Sequence, residues 1–179
     1  MRTPTSQKEA LNRDGSPNME SKYDSVMQRI CYRYVPGHEP VTENGLQSLE
    51  ANIGLALPDD YRTFLLKYGM SAGEGDTRFR NLDESEQIES SVDVFYGLKP
   101  GHTYDLLEKY RMFRNRLPAH VLPFASGSGG HFCLSLTGED AGRIYWWDPH
   151  GDNEAPYENL ELVAYDFDSF INSLTICEE

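Results

Sequence analysis

Two neighbouring apolar stripes at helical spacing stand out in the first half of the chain. Leu46, Leu49 and Ile53 recur at i, i+3 and i+7 between Thr42, whose hydroxyl suits an N-cap, and Gly54, which suits a left-handed stop. In the next stripe Tyr61, Phe64, Leu65 and Tyr68 follow Pro58 at a first-turn position, and Gly69 closes it. Asp59 and Asp60 in its first turn complement the helix dipole. Upstream, Tyr23, Val26, Ile30 and Tyr34 predict a short helix within residues 21–35, closed by Pro36 and Gly37. Downstream, Leu106, Leu107, Tyr110 and Phe113 predict a helix from Thr103 to about Asn115, ended by Leu117 and Pro118. Phe167, Phe170, Ile171 and Leu174 predict a last helix behind an N-cap at Asp166.

Between these helices the apolar period falls to two. Val92, Val94 and Tyr96 alternate as in a strand, and VLPFA, HFCLSL and RIYWWD follow as three more, separated by the turns SGSGG and TGEDAG. LELVAY adds a further strand after the loop PHGDNEAPYEN. Helices come first, then a meander, then a helix, with no βαβ alternation. The expected fold is α+β, a mostly antiparallel twisted sheet flanked by helices. A chain of 179 residues, 39% hydrophobic, suits one core. The expected organisation is a polar tail over 1–20 and a single domain over 21–179.

Charge narrows the function. With 29 acids against 16 bases, the net charge of −13 opposes direct nucleic-acid binding, which needs a basic stripe. The densest basic stretch, with Lys109, Arg111, Arg114 and Arg116, also carries Tyr110, Phe113 and Leu117 and reads as a solvated helix face. Three cysteines far apart, without a CxxC pair, suggest reduced thiols, and no apolar run approaches the roughly 18 residues of a membrane span. A cytoplasmic protein without a membrane segment is expected.

Three runs carry candidate chemistry. The run ASGSGGHF lacks the spacing of a phosphate loop, a dinucleotide fingerprint or a nucleophile elbow, and reads as a hairpin turn. His131 and Cys133 share a strand face, and His120 and His150 could join them around zinc, but the spacing is that of no common zinc motif. No metal or other cofactor is expected. In WWDPHGD, Asp148 and His150 flank Pro149, as a general-base pair could. No nucleophile is placed beside them, so a turn is preferred, with Trp146 and Trp147 supplying one core and one surface ring.

The ordered segments LPDDYRTFLLKYG, VFYGL, LPFASGSGGHFCLSL, GRIYWWDPHGD and VAYDFDSFINSL resemble the SUKH superfamily and its Smi/Knr-type domains, from about Thr42 to Leu174. The resemblance implies a SUKH-like α+β domain that binds proteins and is not an enzyme. In bacteria such domains often serve as immunity proteins that neutralise a toxin, many toxins being basic nucleases. Fungal relatives act in cell-wall regulation through protein contacts. Three readings follow: an immunity protein against a basic toxin domain, a regulatory or scaffolding module, and a hydrolase centred on Asp148 and His150. The first is preferred. Its expected contact residues are Glu74, Asp76, Asp83, Glu84, Glu86 and Glu89 in the acidic loop, with Trp147, Asp148 and His150 at the strand end.

Overall fold

Helix α1 (Asp24–Arg29) is shorter than the apolar spacing predicts, because the chain turns left-handed at Cys31 with φ 48°. The amide of Cys31 donates to Gln28 and that of Tyr32 to Met27, the paired bonds of a Schellman stop. Tyr34 therefore leaves the predicted helix and lies exposed on strand β1 (Arg33–Tyr34). The computed structural model describes residues 20–79, 91–151 and 159–176, so the predicted tail, apart from Glu20, lies outside the described residues.

The two stripes form helices α2 (Glu43–Ile53) and α3 (Asp59–Tyr68). Thr42 Oγ1 accepts from the Gly45 amide at 3.1 Å, and Gly54 closes α2 with φ 75°. Pro58 is the N-cap of α3 itself, one position earlier than expected. Three two-residue strands follow: β2 (Ser71–Ala72), β3 (Thr77–Arg78) and β4 (Val94–Phe95). Helix α4 (Leu106–Phe113) starts later than expected because Asp105, not Thr103, is its cap. Asp105 is buried, and its carboxylate accepts from the Glu108 amide at 2.9 Å and the Lys99 amide at 2.7 Å.

The meander then runs through β5 (Val121–Gly127), β6 (Gly130–Ser135), β7 (Ile144–Trp147) and β8 (Leu160–Ala164). Helix α5 (Phe167–Asn172) opens on Asp166, whose carboxylate accepts from the Ser169 amide at 2.7 Å. Strand β9 (Thr175–Ile176) pairs with β3 in a small second sheet. The main sheet is antiparallel and seven-stranded, in the order β1-β2-β4-β5-β6-β7-β8. The α+β expectation holds.

Proline has no amide to donate and is confined within sheets to edges and bulges. Pro123 nevertheless lies in a central strand, and the register between β5 and β6 slips between Pro123 and Ala125. The bulge gives Phe124 an unpaired place, so Leu122, Phe124 and Ala125 all reach one core. The hairpin β5–β6 closes through Ser128 (φ 51°) and Gly129 (φ 79°), a two-residue turn with both central residues left-handed, as strand twist favours. Gly130 is required for a different reason: a Cβ there would stand 2.4 Å from the Trp147 carbonyl oxygen and 2.8 Å from the Trp146 ring.

The sheet has two unlike faces. Against one lie α3 and α5, where Phe64 and Phe167 pack edge-on at 5.2 Å and Phe124 meets Phe167 at 5.5 Å. Against the other, Phe113, Leu117, Val121, Cys133 and Trp147 form a smaller cluster beneath α4, joined by half-buried Leu160. The two ends of the described chain are clasped together. Lys22 pairs with Asp168 at 2.7 Å, the Tyr23 hydroxyl donates to the same carboxylate, and Arg29 donates to the carbonyls of Asn172 and Leu174 at 3.0 and 2.9 Å. Those carbonyls lie at and just beyond the end of α5, where unpaired acceptors favour a cation.

Candidate functional site

One end of the main sheet gathers most of the described candidates. Strand β2 leads there into Glu74 and Asp76, both exposed. The chain returns at Ser91, whose amide donates to Ser128 Oγ at 2.8 Å, beside the hairpin turn. Strand β7 ends at the same place, since Trp147 pairs with His131 next to Gly130. The termini of the acidic segment and the Asp148–His150 turn thus flank the Ser128–Gly129 tip.

The side chains at this end differ in what they can offer. Glu74 bonds Arg33 at 2.6 Å and Asp76 bonds Arg78 at 2.6 Å, so both charges are answered within the chain. Exposed pairs of this kind contribute about 0–1 kcal/mol and exchange readily for a partner's charge. Asp83, Glu84, Glu86 and Glu89 lie outside the described residues; by sequence they stand against Arg80 alone in the stretch 80–90. Asp93, which the sequence reading did not single out, is exposed at this end, with its carboxylate accepting from the Ser91 hydroxyl at 3.1 Å.

Trp147 requires a correction. It is 1% exposed, packed edge-on against Phe113 at 4.9 Å and stacked on His131 at 5.7 Å, so it supports the surface from below and offers no contact of its own. Trp146 is the half-buried ring, with its indole N–H donating to the Gly127 carbonyl at 3.2 Å. Asp148 Oδ1 accepts from the His150 backbone amide at 2.8 Å. That bond makes an Asx-type turn around Pro149, uses the carboxylate locally, and leaves the exposed His150 ring outside it. The preferred turn reading stands, and the general-base pair loses its geometry.

His131 and Cys133 share the face under α4, as their spacing predicts. Burial, then the nearby charges of Lys109 and Arg116, push His131 down to about 4. Burial alone pushes the Cys133 thiol well up, which keeps it an unreactive core group. His120 stands apart at the opposite end of the sheet, 3.8 Å from Asp140 in an open cleft of about 630 Å³ lined also by Thr137, Gly138, Glu139 and Arg143. Among the described residues no group of three or more His, Cys, Asp or Glu side chains is arranged to hold a metal ion. No helix among them is long and apolar enough to cross a membrane.

The helix-flanked antiparallel sheet, with its LP-led helix, glycine hairpin and tryptophan-ended strand, is consistent with a Smi/Knr-type domain. Residues 40–173 match the model of the SMI1 / KNR4 family (SUKH-1), and the chain belongs to that family. It is also similar to the SPbeta prophage-derived uncharacterized protein YokK of Bacillus subtilis (strain 168). The two are 31% identical over 148 residues, which cover 74% of each chain.

Proposed function

We propose that this chain is a protein-binding module that acts in the bacterial cytoplasm as an immunity protein, neutralising a basic toxin domain by direct contact. The observation that carries the reading is the convergence at one end of the sheet: both termini of the acidic segment, Asp93 and the Asp148–His150 turn surround one exposed hairpin tip. Such a cluster meets a partner without any rearrangement of the sheet, and the excess of acids over bases in the sequence of the segment 80–90 would speed encounter with a basic surface. Family membership supports a binding role in general and makes an immunity role plausible; the charge pattern supports only the basic character of the partner.

The reading expects a toxin domain to be encoded beside this gene, and the test is coexpression of the chain with it. Survival of the host and co-purification of the two chains are expected. Replacing Asp83, Glu84, Glu86 and Glu89 together by Lys should slow association by about tenfold or more and flatten its salt dependence. An active toxin that neither binds the chain nor is restrained by it would refute the reading.

A further inference from the structure

Beneath α4, several hydrogen-bond donors converge on a patch of the sheet separate from the acidic segment. Ser126 bonds the phenolic oxygen of Tyr96, and the Tyr96 hydroxyl lies 2.6 Å from His131 Nδ1. Burial pushes the ionisation of Tyr96 well up, so the phenol keeps its proton and donates it to Nδ1. The imidazole is neutral near pH 7, because burial and the adjacent cations oppose its charging. Its one proton then sits on Nε2, and the hydrogen-bond network fixes that tautomer. Among the described residues Nε2 has no hydrogen-bond partner.

Two cations border this donor. Lys109 Nζ lies 5.7 Å from the Tyr96 ring centre, and Arg116 lies 5.1 Å from that of Trp147 while donating to the Pro149 carbonyl. Both act on the His131 ring as positive charges. Lys22, Arg33, Arg62, Lys67, Arg78 and Lys99 each meet a carboxylate within 3.0 Å, whereas Lys109 has no ion pair among the described residues. The rings of Phe113 and Trp147, at 4.6 and 5.7 Å from the imidazole, form an apolar floor that strengthens any charge-assisted bond made above it.

We propose that Lys109, His131 and Arg116 form an oxyanion-binding recess under α4 that takes a carboxylate or a phosphate group. The imidazole Nε2–H supplies a neutral, directional donor, Lys109 a charge held over the Tyr96 ring, and Arg116 a second charge held by its bond to Pro149.

Inorganic phosphate and, separately, acetate are titrated into the full chain at constant ionic strength, following the His131 ring nitrogens by NMR. A saturable shift of Nε2 with either anion supports the recess, and the tighter of the two names the preferred group. Lys109→Gln, on the half-exposed side of its helix, should weaken that binding by about tenfold or more with the unfolding midpoint unchanged. Shifts that rise without saturation in both series, equal binding by the Lys109→Gln chain, or a His131 proton found on Nδ1 would each overturn the proposal.

Discussion

The two faces of the sheet solve the same packing problem with different materials. Under α3 and α5 a dense group of rings packs among aliphatic side chains: Phe167 alone meets Tyr23, Tyr61, Phe64 and Phe124. Under α4 the core is thinner, and His131 and Cys133 share it with Phe113 and Trp147, while Lys109 and Arg116 border it. Dispersion and apolar burial grow with contact area, so stability should be concentrated on the first face. The second keeps polar groups where they can still meet solutes.

Truncation is the strongest way to break this comparison. Phe167→Ala should cost about 3–5 kcal/mol in urea unfolding, and Phe113→Ala about 2–3 kcal/mol, because its site is shallower. Equal losses would show that the faces contribute alike. Acid probes the second face through His131. Asp24, Glu50 and Asp168, whose carboxyls are held below the usual range, titrate as well, so the His131 part is read as a difference between two chains. His131 binds its proton less readily folded than unfolded, so its contribution is present above pH 6.5 and is lost as pH falls towards about 4. Replacing His131 by Gln should remove about 2 kcal/mol of that acid sensitivity, measured as the difference in unfolding free energy between the two pH values.

Smaller effects sharpen the picture on the first face. Asp166→Ala removes the cap that starts α5 and should cost about 1 kcal/mol by thermal or urea unfolding. The Tyr61 hydroxyl is buried among those rings with no hydrogen-bond partner among the described residues. Tyr61→Phe should therefore leave stability within about 0.5 kcal/mol of the parent or raise it. A clear loss would mean that the hydroxyl is satisfied after all.

The elements that were legible in the sequence are those whose ends carry their own chemistry. Thr42, Gly54 and Asp166 mark the limits of α2 and the start of α5, and the apolar stripes between such marks turn inward as predicted. The first helix was overextended because a cysteine, with no glycine to announce it, takes the left-handed stop. The two-residue strands β1, β2, β3 and β9 escaped notice since a ladder so short leaves no alternation to read.

The candidate site was less legible, for a physical reason. Where both faces of a sheet are covered, adjacent Trp146 and Trp147 can each be apolar whichever way the strand turns, so alternation could not say which was sealed. The Asp148 turn was readable from Asp and Pro alone. The Tyr96–His131 bond and the Lys109 ring contact join residues 35 and 13 positions apart, and only the folded sheet brings them together.

The clasp between α1 and α5 also bears on how the protein is made. Lys22 and Tyr23 find Asp168 some 146 and 145 residues later, and Arg29 waits as long for the carbonyl of Leu174. During synthesis, the apolar side of α1 gains its final neighbours only once α5 has been made. Closure is thus a long-range step that helices and strands formed in between cannot replace, and a chain lacking α5 would leave that apolar side uncovered and open to chaperones and proteases.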